Sequence, residues 1–362
     1  MEHMDVNPMG LDGFEFCEFA SPDPDRLARL FEQMGFVAAA THPTRAITRY
    51  KQGRINLLLN REPTGHAADF ARAHGPSASA MAFRVQDARA AYDAAMARGA
   101  RPGHGGARPG HGGALDGVPV LEGIGGSLLY LVDRHGAAGS LYDDWTAAPG
   151  AAEAERQNGV GLDLLDHLTH NVRRGQMRTW SAFYNQIFGF EEQKYFDIKG
   201  KATGLFSQAM IAPDKAIRIP LNESQDDKSQ IEEFIRDYNG EGIQHLAFTT
   251  DDIYATVEKL RERGVRLQDT IETYYELVDK RVPGHGEDLD RLKRNRILID
   301  GDTGDEGILL QIFTETMVGP IFFEIIQRKG NQGFGEGNFK ALFESIEEDQ
   351  IRRGVLKVEA AE

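Results

Sequence analysis

The sequence predicts an α+β protein built from two related halves, and pairs of similar segments carry this prediction. Residues 80–99 and 245–264 each give a short apolar strand ending in Ala-Phe, then an Asp, then a helix closed by Arg-Gly. Two further pairs follow in the same order: helices at 24–36 and 178–190, and late strands at 127–133 and 308–314. Each half is therefore expected to contain two units of strand, helix and further strands.

Cap residues predict the ends of the helices in the first pair. Asp87 and Asp252 precede these helices, and a carboxylate at this position can accept the free N–H groups of the first helical turn. Gly99 and Gly264 follow the helices, and glycine tolerates the positive φ of a helix end. The spacing from Asp to Gly is the same in both halves, which supports the repeat.

The remaining elements follow from periodicity and turn chemistry. Strand-like runs at 13–20 and 162–172 precede the helices of the second pair. Residues 229–238 predict a helix, with Ser229 and Glu232 as a capping box. The other expected elements are strands at 296–300, 308–314 and 321–326, with a hairpin between the first two, and a C-terminal helix at 338–353.

The domain organisation predicted from these patterns has three parts. An N-terminal domain at 1–134 and a C-terminal domain at 159–362 are separated by a linker at 135–158, which is rich in Ala, Gly and acidic residues and has no strand pattern. The run RPGHGGA at 101–107 is repeated at once at 108–114. Its histidines could suggest a metal tract, but the flanking glycines offer no rigid frame for ligands, so we interpret it as a lengthened loop.

Composition excludes several classes of function. The formal net charge of −15 disfavours nucleic acid and anionic lipid as partners. The single cysteine, Cys17, excludes an internal disulfide framework and a Cys-rich zinc site. No apolar run approaches the ~18 residues of a membrane helix, and the N-terminus has neither the charge nor the apolar core of a signal peptide. We expect a cytoplasmic protein without a membrane partner.

Three strands of the second half carry a polar residue that could bind a metal. The candidates are His167, His245 and Glu324, each in an otherwise apolar stretch. A carboxylate in IFFEII is costly to bury unless it is paired or binds a cation. Two His and one carboxylate with open positions opposite are typical of non-heme Fe(II) oxygenases. The candidates lie about 80 residues apart, so each alone is also compatible with a core or solvent-facing side chain.

Two comparisons within the sequence refine this hypothesis. His170 competes with His167 as a ligand, but strand alternation puts His167, Thr169 and Asn171 on one face and His170 on the other. In the first half, Ala80 stands where His245 stands in the repeat, and the strand at 13–20 has no His. The first half is therefore expected to be metal-free, with a structural or oligomerisation role.

Several long motifs of the second half identify a family resemblance. They are Asp166-His167 with Asn171-Val172, IPLNES, SQIEEFI, GIQHLAF, LLQIFT and FFEIIQRKGNQGFGEGNFKALFESIEEDQ. Over residues 159–356 the chain resembles the bacterial-type 4-hydroxyphenylpyruvate dioxygenase family of the vicinal-oxygen-chelate superfamily. The first half matches more weakly, mainly through GIGGSLLYLVD. The resemblance implies four βαβββ modules paired into two open barrel-like domains, as in glyoxalase-like folds.

The resemblance also implies the site residues. The implied ligands of one Fe(II) per subunit are His167, His245 and Glu324. The implied catalytic residues are Gln311, Gln244 and Phe339. The implied substrate contacts are Ser207, Asn222, Gln230, Phe313, Phe322, Phe334, Asn338 and Phe343. Phe313 and Phe339 would enclose the substrate ring, and Ser207, Asn222 and Gln230 would hold its hydroxyl. Glycines before the C-terminal helix could let that helix open and close as a lid.

The implied reaction converts 4-hydroxyphenylpyruvate and O₂ to homogentisate and CO₂, a step of tyrosine catabolism. The 2-oxo acid binds Fe(II) and supplies two electrons, so no separate cosubstrate is needed. The alternatives are 4-hydroxymandelate synthase, which oxidises the benzylic carbon, an extradiol catechol dioxygenase, a zinc lyase or hydrolase, and a non-enzymatic ligand-sequestering protein. Phe339 and the IPLNES run favour the ring-hydroxylating enzyme. A homo-oligomer, either a dimer or a tetramer, is the expected assembly.

Overall fold

A computed structural model describes residues 7–103, 115–199, 204–304, 306–338 and 340–341. The strands of the first half are β1 (Phe14–Ala20), β2 (Val37–Thr41), β3 (Ile47–Gln52), β4 (Ile55–Asn60), β5 (Ser77–Arg84), β6 (Val120–Glu122), β7 (Leu128–Val132) and β8 (Thr146–Ala147). Its helices are α1 (Pro24–Gln33), α2 (His66–His74), α3 (Ala88–Ala97) and α4 (Ala151–Asn158).

The second half continues directly from α4. Its strands are β9 (Leu162–Val172), β10 (Glu191–Lys199), β11 (Gly204–Ile211), β12 (Arg218–Ser224), β13 (Gly242–Thr250), β14 (Leu298–Gly301), β15 (Ile308–Phe313) and β16 (Phe322–Lys329). Its helices are α5 (Met177–Phe188), α6 (Gln230–Asp237), α7 (Ile253–Glu262), α8 (Glu272–Glu276), α9 (Val278–Arg281) and α10 (Leu289–Asn295). None of these helices is long and apolar enough to cross a membrane.

The strands form two eight-stranded sheets with related orders. The first sheet is β6-β7-β5-β1-β4-β3-β2-β8, and the second is β10-β11-β12-β9-β13-β16-β15-β14. In each sheet an antiparallel pair lies at the centre, β1 with β5 and β9 with β13, and each central strand has one parallel neighbour. This arrangement confirms the α+β fold of paired strand-helix-strand modules.

The cap signals in the sequence correspond to real helix ends. The side chains of Asp87 and Asp252 accept hydrogen bonds from the backbone N–H groups of Ala90 and Ala255. Ser229 likewise caps α6 by accepting a hydrogen bond from the N–H of Glu232, at 3.3 Å. These bonds satisfy donors that the first helical turn leaves free, which explains why the helices begin at these residues.

The segment 135–158 differs from the expected strand-free linker. It contains β8, which pairs antiparallel with β2, and the helix α4. Two of its aromatic residues, Tyr142 and Trp145, are buried in the core of the first half, and the guanidinium of Arg49 lies 3.8 Å from the Tyr142 ring centroid. These tertiary contacts hold the segment against the first sheet, although its Ala- and Gly-rich composition suggests a linker.

The two halves pack against each other through a shared apolar core. Aromatic pairs cross between them, including Phe36 with Phe248 at 5.7 Å between ring centroids and Phe83 with Phe188 at 5.4 Å. The buried side chain of Gln52 adds polar links, because its Oε1 accepts a hydrogen bond from the N–H of Val160 at 2.7 Å. The second sheet is therefore supported along one side by the first half.

Two predicted features lie largely or wholly outside the described residues. The duplicated loop falls within 101–114, of which the structure describes 101–103. The predicted C-terminal helix at 338–353 begins within the described range, where residues 336–338 are helical, but nearly all of it lies beyond that range.

Candidate metal centre

The strand register brings the predicted ligands into neighbouring positions on the second sheet. His167 in β9 lies opposite Ala247 in β13, and Ala247 lies beside Glu324 in β16. Phe313 in β15 is the next residue in this row. Side chains of residues in register point to the same face, and adjacent strands lie about 4.8 Å apart. The small side chain of Ala247 therefore leaves space between the imidazole and the carboxylate.

A β-bulge brings the second imidazole into the same space. Ile243 pairs with His170 and His245 pairs with Thr169, so Gln244 is an extra residue in β13 at this point. A bulge of this kind redirects side chains and is common next to active sites. His245 lies two residues from Ala247 and therefore on the same face.

The three candidate ligands converge on one buried point. The Nε2 atoms of His167 and His245 lie 3.2 and 3.3 Å from Oε2 of Glu324. The three side chains are buried, and their potential ligand atoms all lie within 4.8 Å of one another. His170 lies on the other face of β9, where its Nε2 contacts the Tyr184 hydroxyl at 2.7 Å. The predicted choice of His167 over His170 agrees with this geometry.

The electrostatics of this group fit a bound divalent cation. Burial raises the pKa of Glu324, but the neighbouring imidazoles more than offset this effect and lower its pKa to about 2. The carboxylate is therefore ionised, and a buried anion needs a cationic partner. Two imidazoles and one carboxylate form a donor set suited to a first-row transition metal such as iron. The donors of His167, His245 and Glu324 thus fit the metal that the sequence implies.

A charged network fixes the first imidazole. Nδ1 of His167 donates to Oδ2 of Asp166 at 2.9 Å, so its Nε2 is free to face the site. Asp166 is 3% exposed and also accepts two hydrogen bonds from Arg328, at 2.9 and 2.7 Å, and one from Arg218 at 3.3 Å. Burial raises the pKa of Asp166, but Arg328 and His167 lower it more, so the carboxylate remains charged.

Two glutamines orient the other ligands. Oε1 of Gln244 accepts a hydrogen bond from Nδ1 of His245 at 3.0 Å, which leaves Nε2 facing Glu324. Nε2 of Gln311 donates to Oε1 of Glu324 at 3.2 Å, which leaves Oε2 facing the two imidazoles. The amide nitrogen of Asn338 donates in turn to Oε1 of Gln311, at 3.0 Å. Each ligand therefore has its free atom directed toward the same point.

Aromatic side chains surround the three donors. The Phe322 ring stacks on His245 with 4.8 Å between centroids, and the Phe334 ring meets His167 edge-on at 5.3 Å. Phe313 lies 6.4 Å from His245 and 5.9 Å from Phe322. All three phenylalanines are half-buried. They form an apolar wall beside the donors. The other two predicted aromatic contacts, Phe339 and Phe343, lie outside the described residues.

Of the three residues predicted to bind the substrate hydroxyl, two lie on neighbouring strands of the second sheet and the third lies on a helix. Ser207 in β11 and Asn222 in β12 are register partners and half-buried. Asn222 also pairs with Asn171 of β9, on the face that carries His167. Gln230 is the first residue of α6 and is exposed. Its position alone does not bring it to the donors, so its contact with substrate stays a prediction.

Comparison with known proteins agrees with this geometry. Residues 6–146 match the family described as hydroxyphenylpyruvate dioxygenase, N-terminal, and residues 164–277 match the glyoxalase/bleomycin resistance protein/dioxygenase superfamily. The chain is 60% identical to 4-hydroxyphenylpyruvate dioxygenase of Pseudomonas aeruginosa over 97% of both chains. The chain belongs to the 4-hydroxyphenylpyruvate dioxygenase family.

Two other similar proteins carry different names. Hemolysin VllY of Vibrio vulnificus is 57% identical over 97% of this chain and 98% of its own length. A triple mutant of 4-hydroxymandelate synthase from Streptomyces coelicolor has a similar structure, with a TM-score of 0.78 and 28% identity over 94% of this chain and 100% of that one. Membership of the 4-hydroxyphenylpyruvate dioxygenase family therefore extends across both halves.

The first half of this family member has two aromatic residues and an alanine where the second half has its three candidate ligands. The central pair β1·β5 corresponds to the pair β9·β13. Phe16 pairs with Ala82 as His167 pairs with Ala247, and Ala80 and His245 each lie two residues before that alanine, so Phe16 corresponds to His167 and Ala80 to His245. The β5·β7 pairing likewise makes Tyr130 the counterpart of Glu324. The rings of Phe16 and Tyr130 lie 5.4 Å apart in a buried cluster. Among the described residues, one group of at least three potential ligands converges, and it lies in the second half.

Sequence reasoning missed the residues that support the ligands. Asp166 and Arg328 flank the predicted ligands in sequence, and charged residues inside an apolar strand are the signal that could have identified them. Tyr274 lies in the segment between β13 and β14, and its hydroxyl donates to Oδ1 of Asn338 at 2.6 Å. No local pattern marks Tyr274, because its partner is 64 residues away.

Proposed function

We propose that this protein is an iron(II)-dependent dioxygenase that converts 4-hydroxyphenylpyruvate and O₂ to homogentisate and CO₂. The observation that carries the proposal is the buried convergence of His167, His245 and Glu324 in a chain 60% identical to a 4-hydroxyphenylpyruvate dioxygenase. Iron(II), when bound by these residues, would supply coordination positions for a 2-oxo acid and for O₂. The remaining chemistry depends on how the chain orients and encloses the substrate.

At the metal end, hydrogen bonds hold the three candidate ligands in fixed orientations. Asp166 and Gln244 accept hydrogen bonds from Nδ1 of His167 and His245, so Nε2 is the atom that each imidazole would offer to a bound metal. Gln311 donates to one oxygen of Glu324, and we propose that its remaining N–H contacts a keto acid bound beside that carboxylate. These hydrogen bonds fix the donors before the substrate arrives, which lowers the cost of reaching the reactive geometry.

Away from the metal, the walls favour a ring with a polar far end. Phe313, Phe322 and Phe334 offer apolar faces on which an aromatic ring can pack, and a ring bound there would exclude water from them. Ser207 and Asn222 offer neutral hydrogen-bonding groups suited to a phenol hydroxyl. We propose that Gln230 also binds the phenol hydroxyl. We further propose that Asn338, Phe339 and Phe343 contact the substrate as a wall that closes over it.

The test supplies Fe(II) and 4-hydroxyphenylpyruvate and follows O₂ uptake, CO₂ release and the product. We expect equal consumption of O₂ and release of CO₂, with homogentisate formed. Glu324→Ala is the matched variant, since it removes one donor and should abolish both metal retention and turnover. Uptake of O₂ without CO₂ release would refute a keto-acid mechanism.

One alternative has a specific observation in its favour. The structural similarity to a 4-hydroxymandelate synthase leaves oxidation of the benzylic carbon as the competing outcome on the same substrate. Product identity separates the two, because only ring hydroxylation with side-chain migration gives homogentisate. Ring cleavage of a catechol would instead indicate an extradiol dioxygenase. Binding without any turnover would indicate a sequestering protein.

We also propose a cytoplasmic homo-oligomer, either a dimer or a tetramer, in which the metal-free first half contributes to assembly. The single cysteine, which is free and buried, is consistent with a reducing compartment. Light scattering of the purified protein would measure the assembly, and truncation of the first half would test its role in it.

A further inference from the structure

One fully buried asparagine on the face of the metal ligands lacks hydrogen-bond partners. Asn171 in β9 is 0% exposed, and neither its Oδ1 nor its Nδ2 has a partner among the described residues. Leaving a buried polar group unsatisfied costs about 1–3 kcal/mol, so native structures seldom contain one without a reason. Asn171 carries two such atoms on one side chain.

The register places Asn171 in the middle of a polar row. Ser207 in β11 pairs with Asn222 in β12, Asn222 pairs with Asn171, and Asn171 pairs with Gly242 in β13. Residues in register share a face of the sheet. The row lies four residues along β9 from His167, which corresponds to about 13 Å along the strand. A ligand that reaches from the metal donors along this face therefore meets the row with its far end.

One side of the row is closed. Gly242 has no side chain, and a Cβ there would lie 2.3 Å from Cε1 of Tyr238, so the tyrosine ring fills that place. Gly242 therefore offers the Asn171 amide no side-chain partner, and its neighbour on the other side of the row is the half-buried Asn222. Thr169, between His167 and Asn171 on the same face, also has a buried hydroxyl that no described residue hydrogen-bonds.

The chemistry of the row matches a hydroxyl group. Ser207, Asn222 and Asn171 are neutral, and each offers both a donor and an acceptor. A carboxylate would need a cation, and none of the three residues provides one. A hydroxyl group can donate one hydrogen bond and accept another through the same oxygen atom. The Asn171 amide offers both an acceptor, Oδ1, and a donor, Nδ2.

We propose that Asn171 is a specificity-determining residue that binds the ring hydroxyl of the substrate together with Asn222 and Ser207. This inference rests on the proposed function, since it names the group that recognises the far end of the same substrate. The Asn171 amide would then find its hydrogen-bond partner only when the substrate binds. A ligand whose ring lacks the hydroxyl would bind more weakly, because the amide atoms would remain unpaired.

The test compares two ligands that differ by this hydroxyl in the iron-loaded enzyme. For Asn171→Leu, we expect kcat/KM for 4-hydroxyphenylpyruvate to fall about tenfold or more, as loss of one or two hydrogen bonds predicts. The inhibition constant of phenylpyruvate, which lacks the hydroxyl, should change less than about twofold, since no hydrogen bond to it is lost. Equal weakening of both ligands would overturn the inference.

Thermal stability gives a second readout that does not depend on activity. Replacing an unpaired buried amide by an apolar group of similar size should raise the melting temperature of Asn171→Leu. Asn295→Leu is the matched control, because Asn295 is also buried but donates to Glu258 at 3.0 Å and to the carbonyl of Arg291 at 3.2 Å. It should lower the melting temperature and leave the ratio of the two ligands unchanged. A melting temperature of Asn171→Leu that falls like that of the control would overturn the inference.

A second variant and the wild type complete the design. If Asn171→Leu does not fold, Asn171→Ala removes the same two polar atoms without adding charge or bulk and should show the same selective loss. Wild-type protein that fails to consume 4-hydroxyphenylpyruvate would refute the proposed function before any variant is compared. Wild-type turnover with an unchanged ligand ratio in the variants would refute the role of Asn171 alone.

Discussion

Gly335→Ala should disrupt the hydrogen bonds that orient the metal ligand Glu324. A Cβ at residue 335 would lie 1.6 Å from Oε1 of Gln311, so the glutamine side chain must move. Its hydrogen bonds to Glu324 and from Asn338 would then be lost, at about 1 kcal/mol each. The φ of +76° adds about 1–2 kcal/mol of strain for any residue with a Cβ. We expect a total destabilisation of about 3–4 kcal/mol.

Gly175→Ala separates the two contributions. Its φ is +82°, and a Cβ there would meet no atom within 4 Å, so this variant carries the backbone strain without the collision. Urea unfolding should show a loss of about 1–2 kcal/mol for Gly175→Ala and about 2 kcal/mol more for Gly335→Ala. Turnover should fall in Gly335→Ala only. Equal stability and equal turnover of the two variants would refute the contact between Gly335 and Gln311.

Three further outcomes follow from buried charges. Burial raises the pKa of Glu18 in the folded state from 4.5 to about 7, so the folded protein loses stability as pH rises through this range. In urea unfolding, the free energy of unfolding of Glu18→Gln should equal that of the wild type at pH 4 and exceed it by about 3 kcal/mol above pH 8. A difference that does not change with pH would contradict this. Glu324→Ala should retain the fold by circular dichroism but lose bound metal on dialysis, and full metal content would exclude Glu324 as a ligand. Asp166→Asn should weaken metal binding about 10–100-fold in a competitive chelator titration, because His167 loses a negatively charged acceptor and Arg328 loses its ion pair. Unchanged affinity would contradict that role.

The elements that could be predicted from the sequence depend on local signals. Asp87 and Asp252 cap helices through bonds to residues three positions away, so their effect is visible in a short segment. The strand β8 and the helix α4 could not be predicted in the same way. Their place is fixed by Tyr142 and Trp145, which pack into a core assembled from distant strands.

The same distinction applies to the candidate site. His167 and Glu324 could be selected because a titratable side chain in an apolar strand is unusual, and the register then brings them together across Ala247. The bulge at Gln244 was not predicted, because it depends on a pairing shift with β9 rather than on β13 itself. Tyr274 was missed for the same reason, since its hydrogen bond to Asn338 joins residues far apart in sequence.

The correspondence of Phe16, Ala80 and Tyr130 with the three donors bears on how chemistry can be inferred from topology. Among the described residues, related strand orders bring three potential metal ligands together in one sheet and no such group in the other, within a single polypeptide. A shared architecture is therefore poor grounds for assigning a reaction to any relative. The residues at these three positions, identified from the pairing of the central strands, indicate better than overall resemblance whether a sheet of this kind can bind a metal.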